Sequence, residues 1–404
     1  MLALKDFLDG NQVKYTITSY SNSCSMEEIQ DQQAMLGMEF VDSCLLEIDG
    51  HQIVIAVISH CKQIDLVDLQ NRLKASKITV LTADDIKLIL PNHSLGIIAP
   101  IGRLYGLNVL FAPELKQFGE ISFLGDSPRN VFSMAYVDMV SLSDMKEDIE
   151  IPTKPKYHVF VNEVAPEIAR GKLASYDSCY LGVSLDNPSF STAKLIAMTD
   201  WIAKRFRSCR VLLGDSLYRL SLLIDNHGLT ERQAFVQALH AGGKYINAEL
   251  PVFDRYLNSC PFEFVYCSDI QQTDSYREYY DIIEDLMKND TRLVNAVNTF
   301  SFQFVQRHLA VDATSISGND FLQICQQYLI EELAIFSCLF DSNLYPILYP
   351  GSLSIFEEIA NGEHPNLPDS LRDMIYISLR FKRRKGFHDL TTIKKEESHA
   401  SITN

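Results

Sequence analysis

Two short stretches far apart in the chain hold residues whose types and spacing could do chemistry. Tyr180–Phe190 reads YLGVSLDNPSF and puts Ser184 where an apolar run ends and a turn begins. A hydroxyl at such a junction can point into a cleft and act as a nucleophile, although a serine there also serves simply as a turn or cap residue. No G-x-S-x-G surrounds it and no Ser/His/Asp order accompanies it, so triad hydrolysis is not the expectation. The second stretch, Tyr328–Glu332, reads YLIEE. Its tyrosine and glutamate stand four apart and so share one face of a helix whose other positions are strongly apolar (Leu322, Cys325, Leu329, Leu333, Phe336). A carboxylate there needs a partner, and an α-ammonium group would be a suitable one. The alternative is a surface glutamate beside a solvated Glu331. Tyr349, ahead of Pro350, could relay a proton or could pack beside the proline.

The elements that must position these residues can be read from periodicity. Ser178–Ser184 is an apolar strand, and Asp186, Asn187 and Pro188 then favour a turn. Leu195, Met198, Ile202 and Phe206 form a helical stripe, and Val211–Leu213 is a second buried strand. Strand, helix and strand in this order predict a βαβ unit and a parallel sheet. Thr230 and Gln233 make a capping-box pattern, long helices are expected over Tyr276–Lys288, Arg292–Leu309 and Asn319–Phe340, and later strands over Phe262–Tyr266 and Asp373–Arg380. An open sheet with helices on both faces binds ligands beyond the carboxyl ends of its strands, and Ser184 is at such an end.

At 404 residues the chain is long for one core, and two domains are expected. The segment 149–156 carries Pro152 and Pro155, which should block regular pairing, and is read as the linker. Upstream, Gln52–Ile58, Leu107–Phe111 and Ile121–Leu124 read as strands and Leu66–Leu73 as a helix, giving an α+β module over 1–148. Downstream lie a catalytic-type module over 157–390 and a polar tail over 391–404. The net charge of −16, with neither half basic, excludes a generic nucleic-acid binder and requires any such contact to be a local patch. Nine scattered cysteines form no C-x-x-C, the histidines show no ligand spacing, and no apolar run approaches a membrane span. No metal, cofactor or membrane is assigned, and a cytoplasmic setting is expected.

Taken as a set, the downstream residues resemble the cyclodipeptide synthases. Gly182, Ser184, Asn187, Tyr328, Glu332 and Tyr349 occur in the order that family shows, with WIAKRF at Trp201–Phe206 and VLLGDSLYR at Val211–Arg219 as accessory matches. The resemblance implies a Rossmann-like parallel sheet akin to the catalytic domains of class I aminoacyl-tRNA synthetases. It also implies a tRNA-dependent aminoacyltransferase that takes two aminoacyl-tRNAs and releases a diketopiperazine. Ser184 would carry aminoacyl and then dipeptidyl groups, Tyr328 and Glu332 would hold the α-amino group, and Tyr349 would relay a proton. Tyr180, Leu212 and Ile335 would line the first side-chain pocket. For tRNA, Arg380, Lys382, Arg383, Arg384 and Lys385 form one basic cluster and Lys204, Arg205, Arg207 and Arg210 another. A non-catalytic aminoacyl-tRNA-binding regulator and an aminoacyl-tRNA hydrolase are the alternatives. The oligomeric state is not readable.

The upstream module resembles the YbaK family of aminoacyl-tRNA deacylases over roughly 25–140, most specifically at Leu95–Pro100 (LGIIAP) and the stretch after it. The resemblance implies that Gly96 and Pro100 line a site for the aminoacyl-adenosine end. It also implies a lysine where this chain has Asp42. A carboxylate cannot supply that cation, so a degenerate editing domain is expected.

Overall fold

The structure, a computed structural model, describes residues 4–21, 23–90, 96–125, 127–143, 150–225, 228–309, 318–351 and 354–384. The polar tail 391–404 and Lys385 lie outside the described residues. Two compact units are present, residues 1–156 with 383–404, and residues 157–382.

The first unit is built on β1 (Tyr15–Ser19), β2 (Glu39–Ile48), β3 (Gln52–Ser59), β4 (Lys62–Ile64), β5 (Ile78–Val80), β6 (Asn108–Phe111), β7 (Glu120–Leu124), β8 (Asn130–Ala135) and β9 (Thr153–Pro155). Its main sheet runs β1-β8-β7-β2-β3-β6, with β5 on the far part of β2. Asp49 and Gly50 both take left-handed φ, and this tight reversal lets the long β2 and β3 pair antiparallel along their length. Leu45, Ile55, Val57, Ile101, Leu115 and Phe123 are sealed in its core. The α+β character expected from the strand pattern is observed.

One expectation is corrected here. The segment read as a linker is not free of pairing: Thr153–Pro155 forms β9 and pairs antiparallel with Lys62–Ile64 of β4. Proline lacks only its own N–H, and in a two-stranded ribbon that position can face away from the partner.

The second unit contains β10 (Tyr157–Ala165), β11 (Ser178–Val183), β12 (Ser208–Leu213), β13 (Phe262–Tyr266), β14 (Ile347–Pro350) and β15 (Tyr376–Arg383), in the order β10-β15-β14-β11-β12-β13. The pairs β15–β14, β14–β11, β11–β12 and β12–β13 are parallel. Tyr157 meets Phe381 and Asn162 meets Ser378, contacts that run in opposite senses, so β10 is an antiparallel edge. The main helices are α1 (Thr192–Ala203), α2 (Tyr218–Asp225), α3 (Glu231–Asp254), α4 (Asp274–Asn289), α5 (Thr291–Leu309) and α6 (Gly318–Ser342).

Both faces of the central strands are covered, as their unbroken apolar character demands. Tyr180, Leu212, Ile347 and Tyr376 face α6 through Leu333, Phe336 and Phe340. The alternate residues Leu181, Val183, Val211 and Leu213 are equally buried on the other side, where α3 packs closely. Gly242 of α3 permits that approach, since a Cβ there would stand 2.9 Å from Cβ of Asp215. After β11 the chain adds β12 and β13 on one side, then crosses back to add β14 and β15 on the other. The end of β11 is therefore the switch point where such sheets open a crevice.

Candidate active site

Ser184 directly follows β11 at that crevice and is half-buried. The turn after it bends through Asp186, whose φ of +58° is one that aspartate tolerates better than most residues. Asn187 caps the short helical turn Pro188–Phe190 by accepting the Ser189 N–H at 2.9 Å. A backbone N–H can only donate, so this contact orients the amide and aims Nδ2 at Tyr349, to whose hydroxyl it donates at 3.1 Å. Tyr349 arrives on β14, beside Gly182 in the neighbouring strand, and its hydroxyl lies 3.1 Å from Oγ of Ser184. A Cβ on Gly182 would touch the Tyr349 ring at 3.4 Å, so the glycine lets the ring lie flat against β11.

From the opposite wall, α6 brings Tyr328 and, one turn further on, Glu332 to the pocket that Ser184 and Tyr349 line. The result is a hydrogen-bonded chain of Asn187, Tyr349 and Ser184, with Tyr328 and Glu332 facing the same pocket from α6. With the Asn187 amide fixed as a donor, the Tyr349 hydroxyl accepts from it and can donate to Ser184 Oγ. Such chains polarise cooperatively. Beside it is a pocket walled by Leu212, Leu217, Ile335, Phe336 and Tyr376, with the Cys267 thiol also on its lining.

Electrostatics follow from burial. Desolvation pushes the Glu332 carboxyl up to about 8, partly offset by the neighbouring Tyr328 hydroxyl. Burial, with the nearby Glu332 charge, raises the Tyr328 phenol well above its ordinary value, and burial also raises Tyr349. Both tyrosines therefore hold their protons at neutral pH. Burial likewise raises the Cys267 thiol, leaving it protonated and unreactive. A folded value of about 8 against 4.5 for a free glutamate means the fold favours the neutral acid. Wild-type stability should therefore fall as pH rises from 4.5 towards 8 relative to Glu332→Gln, and the difference should be flat above and below that window. Thermal unfolding of both proteins across pH 4–9 reads this, and a pH-independent difference would remove the claim.

The structure brings Gly182, Ser184, Asn187, Tyr328, Glu332 and Tyr349 together, with Leu212 and Ile335 on the pocket wall. Tyr180 does not join them. It is fully buried, and its hydroxyl donates to the Leu339 carbonyl at 3.2 Å. At two residues from Gly182 it shares that face of β11 but lies deeper, under the C-terminal end of α6. Glu331, read as solvated, is also corrected. It is 3% exposed and accepts both Nη groups of Arg219, at 2.6 and 2.9 Å, plus Gln271 and Gln327. Helical rotation puts it on the flank of α6 that meets α2, a quarter-turn from Glu332. Periodicity could not identify that partner, and Arg219 stood in the sequence only as the last letter of a strand-like match.

Of the basic residues, Lys204, Arg207 and Arg210 are paired with Asp200, Asp177 and Glu263, and Arg205 stacks on Trp201 at 4.2 Å. Arg380 and Lys382 are exposed near the end of β15, and Arg383 and Arg384 are exposed beyond them. Among the described residues no group of three His, Cys, Asp or Glu side chains is arranged to hold a metal, and no helix is long and apolar enough to cross a membrane.

In the first unit, Asp42 is half-buried on β2 beside His60, whose imidazole burial pushes down to about 4. Gly96 takes φ +67°, and a Cβ there would meet that of Ala83 at 3.0 Å, so glycine is required on backbone grounds alone. Ser43, next to Asp42, donates to the Ile98 carbonyl and ties β2 to the 96–100 segment.

Comparison with known proteins agrees with the two-module resemblance. Residues 22–142 match the family model of the aminoacyl-tRNA editing domain, and residues 169–363 that of the cyclodipeptide synthases. No curated protein matches the sequence. Among solved structures, a cyclodipeptide synthase from Fluoribacter dumoffii is 21% identical, covering 56% of this chain and 99% of its own, with a TM-score of 0.47. A Mycobacterium tuberculosis protein, described as relating cyclodipeptide synthetases to type I tRNA synthetases, is 17% identical over 56% of this chain and 94% of its own (TM-score 0.42). The synthase from Candidatus Glomeribacter gigasporarum, solved bound to Phe-tRNAPhe, is 15% identical over 52% of this chain and 90% of its own (TM-score 0.41).

Proposed function

We propose that this chain, in which a cyclodipeptide synthase match follows an editing-domain match, joins two aminoacyl groups from aminoacyl-tRNAs into a cyclic dipeptide. The observation that carries the reading is the hydrogen-bonded Asn187–Tyr349–Ser184 chain facing Tyr328 and Glu332 across one apolar-walled pocket at the switch point of a parallel sheet. Ser184 Oγ attacks the first ester carbonyl; the new C–O bond forms as the bond to the ribose oxygen breaks, and the serine proton leaves with the ribose hydroxyl. The α-amine of the bound aminoacyl group then lies against Tyr328 and Glu332. A neutral amine meeting a neutral carboxyl there can exchange one proton to become a paired ammonium–carboxylate, which removes the cost of ionising Glu332 alone.

Returned to its neutral form, the amine attacks the ester of the second aminoacyl-tRNA; the peptide bond forms as the bond to the ribose oxygen breaks, the second tRNA leaves with an amine proton on its ribose hydroxyl, and a dipeptidyl-Ser184 remains. Its new terminal amine closes on the serine ester, the ring is released, and Ser184 regains its proton. Tyr349 is hydrogen-bonded to Ser184 and holds its proton at neutral pH, which suits it to pass protons at that oxygen. The apolar wall of Leu212, Leu217, Ile335 and Phe336 favours an apolar first side chain. The test is incubation of the purified protein with aminoacyl-tRNAs and mass spectrometry of the products. Cyclic dipeptides support the proposal; free amino acids alone would indicate a hydrolase, and intact aminoacyl-tRNA a binding protein.

A further inference from the structure

A second cavity, of about 490 Å³, lies in the second unit and shares no residue with the pocket around Ser184. Its walls include Phe235 of α3, Tyr276, Tyr280 and Asp281 of α4, and the Arg219–Glu331 pair that joins α2 to α6. Consecutive residues of a helix stand about 100° apart, so α6 presents Glu332 to one cavity and Glu331 to the other. The reaction proposed above uses none of the residues of this second cavity.

Its chemistry is aromatic and acidic. Tyr276 and Tyr280 stand one turn apart on α4 with ring centroids 5.8 Å apart, and Phe235 adds a third half-buried ring from α3. Four carboxylates share two guanidinium groups here: Arg219 bonds Glu331 and Glu231, Arg277 bonds Asp274, and Asp281 has no ion pair among the described residues. Two cations against four anions leave an excess of two negative charges. Burial raises both phenols, and the Glu331 charge raises them further, outweighing the opposing Arg219. Glu331 already accepts from Arg219, Gln271 and Gln327, so it contributes field, whereas the exposed Asp281 carboxylate is open to contact. Aromatic faces attract organic cations through the ring quadrupole, and a carboxylate beside them accepts the hydrogen bonds of an ammonium group. An anion would meet the excess carboxylates, and an uncharged molecule would gain nothing from them. An excess of two charges suits a ligand with more than one ammonium group.

We propose that this cavity binds an aliphatic polyamine, with one ammonium group against the Tyr276 and Tyr280 rings and hydrogen-bonded to Asp281, and the methylene chain along Phe235. The assignment is independent of the reaction proposed for Ser184. It is tested by calorimetric titration of the full-length protein, freed of nucleic acid, with putrescine at fixed ionic strength. Wild type should take up one putrescine saturably, and butanediol, its uncharged counterpart, should not bind. Asp281→Lys reverses a charge at an exposed position, so it should keep the wild-type unfolding temperature and weaken binding at least about tenfold. Tyr280→Leu removes a ring but keeps apolar bulk and should weaken binding by a similar factor. Ser184→Ala and Glu332→Gln alter only the other pocket and should bind putrescine as wild type does. Absence of saturable uptake, equal binding of butanediol, or wild-type affinity in Asp281→Lys would each overturn the proposal. Loss of binding in Glu332→Gln would overturn it too, because the cation would then occupy the pocket of Ser184.

Discussion

Ser184→Ala is expected to reduce cyclic dipeptide formation by about 10³-fold or more. Ser184 lies on the pocket that Tyr349 and Tyr328 also line and is hydrogen-bonded to Tyr349, so its loss removes the acyl carrier and the end of that hydrogen-bonded chain. The change deletes one oxygen at a half-buried position, and the fold should be unaffected. Trapping experiments sharpen the test. Wild type incubated with one radiolabelled aminoacyl-tRNA and quenched in acid should retain label on the protein, and Ser184→Ala should retain none. Equal labelling, or product formation within tenfold of wild type, would falsify the covalent role. The same variant bears on the first unit. With the serine gone, mischarged aminoacyl-tRNA should remain intact, because Asp42 offers a carboxylate where the editing reading requires a cation.

The largest stability effect is expected from Arg219→Ala. Arg219 and Glu331 are 8% and 3% exposed and form a two-pronged pair, and Arg219 also donates to the Ser216 carbonyl and bonds Glu231. Removing the guanidinium leaves a buried carboxylate with only neutral amide donors, a loss of about 3–5 kcal/mol. In a unit of this size that lowers the unfolding temperature by roughly 6–20 °C. Arg219→Lys keeps the charge but not the planar fork and should fall between. Arg219→Met/Glu331→Leu should recover much of the stability, because the cost lies in stranding one charge. Activity should fall as well: Arg219 joins the Gly214–Leu217 pocket wall to the helix carrying Tyr328 and Glu332. A shift under 2 °C for Arg219→Ala would show that the pair is incidental.

The elements of the second unit were largely legible because each writes a local signature. The stripe from Leu195 to Ile202 became α1, the Thr230 capping box opened α3, and Phe262–Tyr266 became β13 with the bounds expected. Local rules failed where the answer depended on a partner. Pro155 reads as a pairing breaker, yet in a two-stranded ribbon it needs no N–H on its outer side. Tyr180 carries the composition of a pocket residue, but the direction and depth of β11 under α6 decide that it is core.

The sequence alone determined the candidate chemistry: a strand-end serine, a Tyr/Glu pair on one helical face and a tyrosine after an apolar run are fixed by side-chain type and by periods of 2 and 3.6. It also determined that any tRNA contact must be local, since net charge is a sum over residues. Only the tertiary structure decided that these groups converge on one pocket, that Glu332 lines it while Glu331 pairs with Arg219, and which basic residues are paired with carboxylates. Those facts depend on which surfaces meet across more than a hundred residues of chain. Distance and desolvation, the quantities that raise the Glu332 carboxyl and pair Arg219 with Glu331, exist only once those surfaces have met.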